Sequence, residues 1–213
     1  PGAIWFFLLR YIPMAGMILA FKDYKVYVRN PSFWNNMAHS KWVGFKNFKF
    51  LFASTDTGRI IRNTLGYNIV WIILVLVLSV GVAIILHEIT RKRVAKVYQT
   101  LMFFPYFLSW VVASYFVLSV LDPTRGLITS WQAKNGMEVI NWYHEPKYWP
   151  VILTICNVWK NTGYSAILYL AAITGIDTTQ YEAAAIDGAT KWQQIKHVTL
   201  PNLRPMICIL LIM

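Results

Sequence analysis

Four long apolar runs and a short fifth, separated by polar stretches, set the plan of the chain: residues 1–21, 65–86, 97–121, 149–176 and 206–213. Crossing ~30 Å of hydrocarbon takes about 20 helical residues, so the first four can span a membrane as helices and the fifth is only the start of a span. Residues 65–86 carry no charge and form the clearest span. The run 97–121 is also uncharged, and Pro105 predicts a bend near its beginning, with Tyr106 and Trp110 close to an interface or a cavity. Lys160 alone interrupts 149–176, whereas 1–21 contains Arg10 and Pro13. An arginine at mid-membrane costs ~2.5–3.5 kcal/mol, so Arg10 is expected to face protein or water, or to snorkel. The expected fold is all-α, a polytopic helical membrane bundle of about four complete spans plus the start of a fifth. Residues 1–64 hold the first span and a polar segment, and 65–213 the core.

The polar stretches have patterns of their own. In 22–62, Trp42, Phe45, Phe48, Phe50, Leu51 and Phe52 alternate with Lys41, Lys46 and Lys49, which predicts an amphipathic helix at the headgroup boundary. A short basic loop, Arg91-Lys92-Arg93 with Lys96, follows the second span, and 122–148 reads as a polar loop containing Gly126 and Gly136. From 177 to 205 two helices are predicted. The first, 178–187, is capped by Asp177 or Thr178 and stopped by Gly188. The second, 191–200, ends before Pro201, with Trp192, Ile195 and Thr199 on an apolar face and Lys191, Gln194 and Lys196 on a polar one. Two helices joined at a glycine and flanked by spans make a docking surface, or else a hairpin that only caps its neighbours.

Composition agrees with a membrane protein. Hydrophobic residues make up 57% and charged residues 14%, with a mean hydropathy of +0.45, against about 25% charged in soluble domains. The net charge of +11 sits in clusters beside apolar runs, which points to anionic lipid and not to nucleic acid. Cys156 and Cys208 lie inside apolar runs and are read as small buried hydrophobes, giving neither disulfide nor metal site. The four histidines lack ligand spacing, and no Gly-Lys pair marks a P-loop. The chain opens on Pro1 and its last apolar run is short, so a fragment lacking a short N-terminus and at least one further span is expected.

The order Glu182-Ala183-Ala184, three residues, Gly188, nine residues, then Val198-Thr199-Leu200-Pro201 resembles the EAA loop of ABC importer permeases. Asp187-Gly188-Ala189 and Leu203-x-Pro205 are similar to the pattern in sugar permeases. So are residues 11–16, 20–24, 42–48 and 62–65, and Trp159-Lys160 with Gly163. The resemblance implies a type I importer permease, a non-catalytic subunit in a bacterial cytoplasmic membrane. It implies as partners two ATP-binding subunits, a second permease subunit, an extracytoplasmic solute-binding protein and an oligosaccharide. ATP and Mg would be bound by the ATPases, and no cofactor by this chain. Glu182, Ala183, Ala184, Asp187, Gly188, Ala189, Trp192, Leu200 and Pro201 would then dock on the ATPase from the cytoplasm. Charge is a weak guide to that orientation. Lys22, Lys25, Arg29, Lys41, Lys46, Lys49, Arg59, Arg62, Arg125, Lys134 and Lys147 outnumber the basic residues on the side of the loop, yet 91–96 is the densest short loop.

Within 149–176, Asn157, Asn161 and Tyr164 recur at helical spacing, with Trp159 and Lys160 alongside. Polar groups at that depth face the bundle interior or a wet cavity, so these five are candidates to line a substrate pathway, helix–helix hydrogen bonding being the plainer role. Lys160 meets either an acidic sugar or a carbonyl. Ser109 and Ser114 are weaker candidates, more in keeping with interhelical contacts. An amino-acid or peptide permease, a membrane enzyme such as a glycosyl-lipid transferase, and a passive channel or scaffold are the competing readings. The enzyme would need paired carboxylates or a metal cluster, and Asp177, Glu182 and Asp187 are the only local acids.

Overall fold

The computed structural model describes residues 1–26 and 32–212, without the side chains of Phe50 and Leu51. Arg29, those two side chains of the predicted surface helix, and Met213 therefore lie outside the described residues. The chain divides into two compact units, residues 1–65 and 66–213.

In the first unit helix α1 covers Gly2–Phe21. It passes Pro13 without a break because the turn ahead, Phe7–Tyr11, is a wide π turn: the Ile12 amide bonds the Phe7 carbonyl, five residues back. Proline, having no N–H to place, fits the widened ladder. Arg10 is exposed, like the whole of residues 1–14, so of the settings expected for it, protein, water or snorkelling, burial against protein is not met among the described residues. Strands β1 (Lys22–Asp23) and β2 (Lys41–Trp42) pair antiparallel; helix α2 (Phe33–His39) lies between them in sequence, and α3 (Lys46–Ala53) follows β2. The Phe21 ring is the hub, stacked on Trp42 at 5.8 Å and met by Phe45 and Phe48 at 5.5 and 5.4 Å. Asn47 Nδ2 donates to the Ala20 and Lys22 carbonyls at 3.0 and 2.9 Å. The predicted continuous surface helix is thus a strand and a shorter helix, separated at Gly44, whose φ of +56° favours glycine.

Helix α4 spans Thr55–Glu88, starting well before the apolar run at 65–86 because hydropathy marks the lipid-facing stretch and not the helix ends. The second unit continues with α5 (Lys92–Phe107), α6 (Trp110–Leu121), α7 (Leu127–Lys134), α8 (Trp149–Thr174), α9 (Thr178–Ile186) and α10 (Lys191–Ile212). The predicted third span is two helices, α5 and α6, at 101° to each other. The break falls at Leu108 and Ser109, where the Ser109 hydroxyl caps α6 by accepting from the Val112 amide at 3.2 Å. Pro105 lies inside α5, three residues ahead of the break. The polar loop contains α7, entered through a turn in which Asp122 Oδ1 accepts from the Thr124 and Arg125 amides at 2.8 and 2.7 Å. A bond from the Thr124 hydroxyl, together with these two, holds the Asp122 carboxyl below its ordinary range.

The second predicted helix of the polar stretch does not stop before Pro201. It runs on as the single helix α10, joining the expected surface helix to the expected stub of a fifth span. A π turn at Ile195–Thr199 again precedes the proline, the Leu200 amide bonding the Ile195 carbonyl. Among the described residues α1, α4 and α10 are long and apolar enough to cross a membrane, and α5–α6 adds a fourth if taken as one span. Helix α8 is long enough at 26 residues but too polar to qualify alone. It has the richest buried face of the helices, with Lys160, Thr162, Gly163, Ala166, Tyr169, Leu170 and Ile173 all buried.

Lipid tails are as apolar as leucine, so such helices are held by close packing and interhelical hydrogen bonds more than by the hydrophobic effect. Small residues mark the contacts: Ala83, Ala166 and Ser79 are almost wholly enclosed. At Gly163 an added Cβ would lie 1.8 Å from the Met102 carbonyl oxygen, so α8 and α5 touch backbone to backbone. Ser79 Oγ donates to the Thr162 carbonyl at 3.1 Å and Trp71 Nε1 to Thr154 Oγ1 at 3.1 Å, joining α4 to α8. Leu86, Ile173 and Leu203 complete a core shared by α4, α8 and α10.

Candidate functional site

Helix α9 and the start of α10 form an outward-facing loop fastened from behind. Asp177 caps α9 by accepting from the Thr179 amide at 3.0 Å, and that bond keeps its carboxyl below the ordinary range. The helix closes with a Schellman turn: the Gly188 amide bonds the Ala185 carbonyl at 3.1 Å and the Ala189 amide the Ala184 carbonyl at 2.9 Å. Gly188 supplies the left-handed conformation this needs, φ +74°. Thr190 and Gln193 cap α10 reciprocally, the Gln193 side-chain oxygen accepting from the Thr190 amide at 2.7 Å.

Four contacts fix this loop to the bundle. Tyr181 Oη and Thr199 Oγ1 share a hydrogen bond of 3.0 Å, and Asn202 Nδ2 donates to Gln180 Oε1 at 3.0 Å. Lys191 Nζ pairs with Glu88 at 3.3 Å, and the His87 and Tyr181 rings lie 6.2 Å apart. The outer side is left free. Glu182, Ala183, Asp187 and Gly188 are exposed, while Ala184, Ala189, Leu200 and Pro201 are half-buried. Two large apolar side chains stand out on either side of Gly188: Ile186, 86% exposed, and Trp192, 71% exposed. The predicted faces of the second helix are corrected accordingly. Gln194, expected on the polar face, is buried and donates to the Ala189 carbonyl at 3.3 Å, and of the expected apolar face Thr199 is buried and Ile195 half-buried while Trp192 is exposed. Trp192 lies in the first turn, beyond the contact that buries Thr199. Ile186 and the tethers Tyr181 and Gln180 were not singled out from sequence; the exposed isoleucine beside a helix-ending glycine is the signal that was there to read.

The five pathway candidates do not form one surface. Asn161 Nδ2 donates to the Asn157 carbonyl of its own helix at 2.9 Å, and the Tyr164 ring stacks on Tyr106 at 4.3 Å and near Phe103 at 6.1 Å. Trp159 faces the opposite way, about 160° around a helix of 3.6 residues per turn from Asn157 and Asn161. There it lines an apolar cavity of about 600 Å³ with Trp110, Trp149 and Cys156. Cys156 is half-buried as expected of a small hydrophobe, but Cys208 is exposed.

Lys160 is 7% exposed and spends its ammonium on protein. It donates to the carbonyls of Tyr106 at 2.8 Å, Pro105 at 3.4 Å and Leu108, the last turn of α5. The Tyr106 and Trp110 rings flank it at 5.7 and 5.5 Å. A cation is well suited to that place, where helix carbonyls lack partners and the dipole is negative. Of the two roles expected for Lys160, the carbonyl contact is the one present. The Ser109 and Ser114 hydroxyls hydrogen-bond locally, Ser109 accepting from the Val112 amide and Ser114 donating to the Val111 carbonyl. Among the described residues no group of His, Cys, Asp and Glu could hold a metal ion.

Residues 80–213 match the family described as "Binding-protein-dependent transport system inner membrane component". The chain belongs to this family. Protein LplB of Bacillus subtilis (strain 168) is 34% identical over 215 residues, covering 100% of the chain and 65% of its own length. The polygalacturonan/rhamnogalacturonan transport system permease protein YteP of the same organism is 33% identical over 213 residues, covering 100% of the chain and 64% of its own length. The chain thus spans a little under two thirds of these curated relatives. A chain in the crystal structure of a bacterial alginate ABC transporter, in complex with an alginate pentasaccharide-bound periplasmic protein, superposes with a TM-score of 0.85. It is 32% identical, and the match covers 99% of the permease chain and 67% of the neighbour.

Proposed function

We propose that this permease is the membrane subunit of an ATP-driven importer of oligosaccharides, coupled through the α9–α10 loop to ATP-hydrolysing subunits. The observation that carries the reading is the division of labour in that loop: its back is fastened by Tyr181, Gln180 and Lys191, while Glu182, Ile186, Gly188 and Trp192 face outward. A surface presented rigidly but left uncovered transmits movement from a second protein, and apolar side chains such as Ile186 and Trp192 suit a groove. The loop faces the cytoplasm in this reading. A second permease subunit and an extracytoplasmic solute-binding protein complete the assembly, the latter supported by the periplasmic protein bound to the alginate transporter. Catalysis of ATP hydrolysis belongs to the partners, and this chain supplies no catalytic group.

Carbohydrate is favoured as cargo by the names of YteP and the alginate transporter. The chain itself offers the stacked rings of Tyr164 and Tyr106, the kind of group that packs on the apolar face of a sugar. Uptake of labelled neutral and acidic oligosaccharides by cells with and without the intact permease gene tests it. Uptake of either class that depends on the gene supports the reading. Gene-dependent uptake of amino acids or peptides alone overturns the carbohydrate assignment.

A further inference from the structure

Helix α5 has two faces of different character. One packs on α8 through buried Ala95 and Pro105 and through Met102, whose backbone meets Gly163. The other is bare: Val97, Leu101 and Phe104 are 58%, 63% and 58% exposed. At the head of this bare face stand Arg91, Lys92, Arg93 and Lys96, all exposed. None of them joins an ion pair among the described residues, where the paired cations are Lys25, Arg59, Lys147 and Lys191. The acid nearest in sequence, Glu88, is already held by Lys191 at 3.3 Å. A concentrated positive charge with no ion-pair partner among the described residues therefore caps a row of apolar side chains on one helix.

We infer that this end of α5 is a binding site for an anionic phospholipid, the headgroup phosphate held by Arg91, Arg93 and Lys96 and an acyl chain lying along Val97, Leu101 and Phe104. Both halves of the ligand are matched. Guanidinium groups meet phosphate oxygens two at a time, and the ammonium groups add point charge. The hydrocarbon face needs no polar partner. Each basic residue near a membrane surface raises the local concentration of an anionic headgroup about fivefold at low ionic strength, an effect screened within ~10 Å at 0.1 M salt. The inference rests on α5 alone and is independent of the cargo.

The test uses the full-length permease in nanodiscs. Cys156 and Cys208 are replaced by serine, and a fluorophore is placed on Thr100→Cys, exposed one turn from both Val97 and Phe104. Quenching by phosphatidylglycerol brominated on its acyl chains is compared with quenching by equally brominated phosphatidylcholine at the same mole fraction. The site predicts a preference for phosphatidylglycerol of about threefold or more at 50 mM salt, falling toward one at 500 mM. The preference should vanish when Arg91, Lys92, Arg93 and Lys96 are all changed to Gln, and survive when Lys41, Lys46 and Lys49 are. A reporter at Val77, in an uncharged stretch of α4, should show no preference. Equal quenching by the two lipids in the unaltered cluster, or an undiminished preference in the quadruple variant, overturns the site. A preference lost on assembly with ATPase subunits means that protein covers the cluster, and overturns it too. The salt series on the unaltered cluster decides the matter if the quadruple variant fails to insert.

Discussion

Replacing Gly163 by alanine adds one methyl group at the point where α8 and α5 touch. That carbon would sit 1.8 Å from the Met102 carbonyl oxygen, 2.4 Å from its carbon and 3.1 Å from the Phe103 nitrogen. All three are backbone atoms, so no rotamer change relieves the overlap. The helices must part by more than 1 Å before the nearest contact reaches the 3.0 Å below which such contacts are essentially never found. Overpacking of this kind costs about 1–3 kcal/mol, here toward the upper end. Helix propensity works the other way by at most ~1 kcal/mol. The net loss is about 2 kcal/mol, or about 4–8 °C in the melting temperature of a chain this size. A shift of that size also takes the Lys160 ammonium out of reach of the Tyr106 carbonyl, now at 2.8 Å, so Gly163→Ala and Lys160→Met should not be additive. Gly81→Ala is the control, since nothing lies within 4 Å of its added carbon; it should leave the melting temperature unchanged or raise it. Thermal unfolding of the purified permease in detergent measures both. Equal melting temperatures for Gly163→Ala and Gly81→Ala would refute the backbone contact and, with it, the account of how α8 is seated.

The other expectations are shorter. Lys160→Met should lower uptake of neutral and acidic oligosaccharides in equal proportion, because the residue holds the end of α5 and has no donor left for cargo; loss of acidic uptake alone would show a direct contact. Ser109→Ala removes the cap of α6 and should cost ~0.5–2 kcal/mol, read as a lower melting temperature. Asp122 titrates below its ordinary 3.8, so its contribution to the 122–126 turn is complete above that value and is lost as pH falls through the lowered one. Amide exchange of Thr124 and Arg125, corrected for intrinsic rate, should therefore be flat between pH 7 and pH 5. Single cysteines at Arg93 and Gln193 should react with impermeant reagents only from the cytoplasm, and one at Lys134 only from outside.

What could be read from sequence divides along physical lines. Helix 178–187 and its glycine stop are written in local chemistry, a capping aspartate and a residue suited to positive φ, and they are found at Thr178–Ile186 and Gly188. Pro201 misled because proline normally ends a helix; a π turn ahead of it absorbs the missing donor, as another does before Pro13. The break between α5 and α6 carries no charge and lies within an apolar run, so hydropathy passes over it, although the Ser109 cap was there to be seen. Trp159 is near Asn157 and Asn161 in sequence, yet the helical turn sets it on the other side. The partners of Lys160 are carbonyls contributed from more than fifty residues away, a contact that only the tertiary fold creates.

The central claim is that an outward loop passes the work of ATP hydrolysis to this chain, and transport by the reassembled importer tests it most directly. The full-length permease is reconstituted into vesicles with its ATPase subunits, its partner permease and its solute-binding protein, as wild type, as Gly188→Val and as Glu182→Lys. Valine resists the positive φ of Gly188, at +74°, and lysine reverses the exposed charge at Glu182. Uptake of labelled oligosaccharide should require ATP and the binding protein in the wild type, and be abolished in both variants although the permease inserts normally. Wild-type uptake rates in the two variants would contradict the claim.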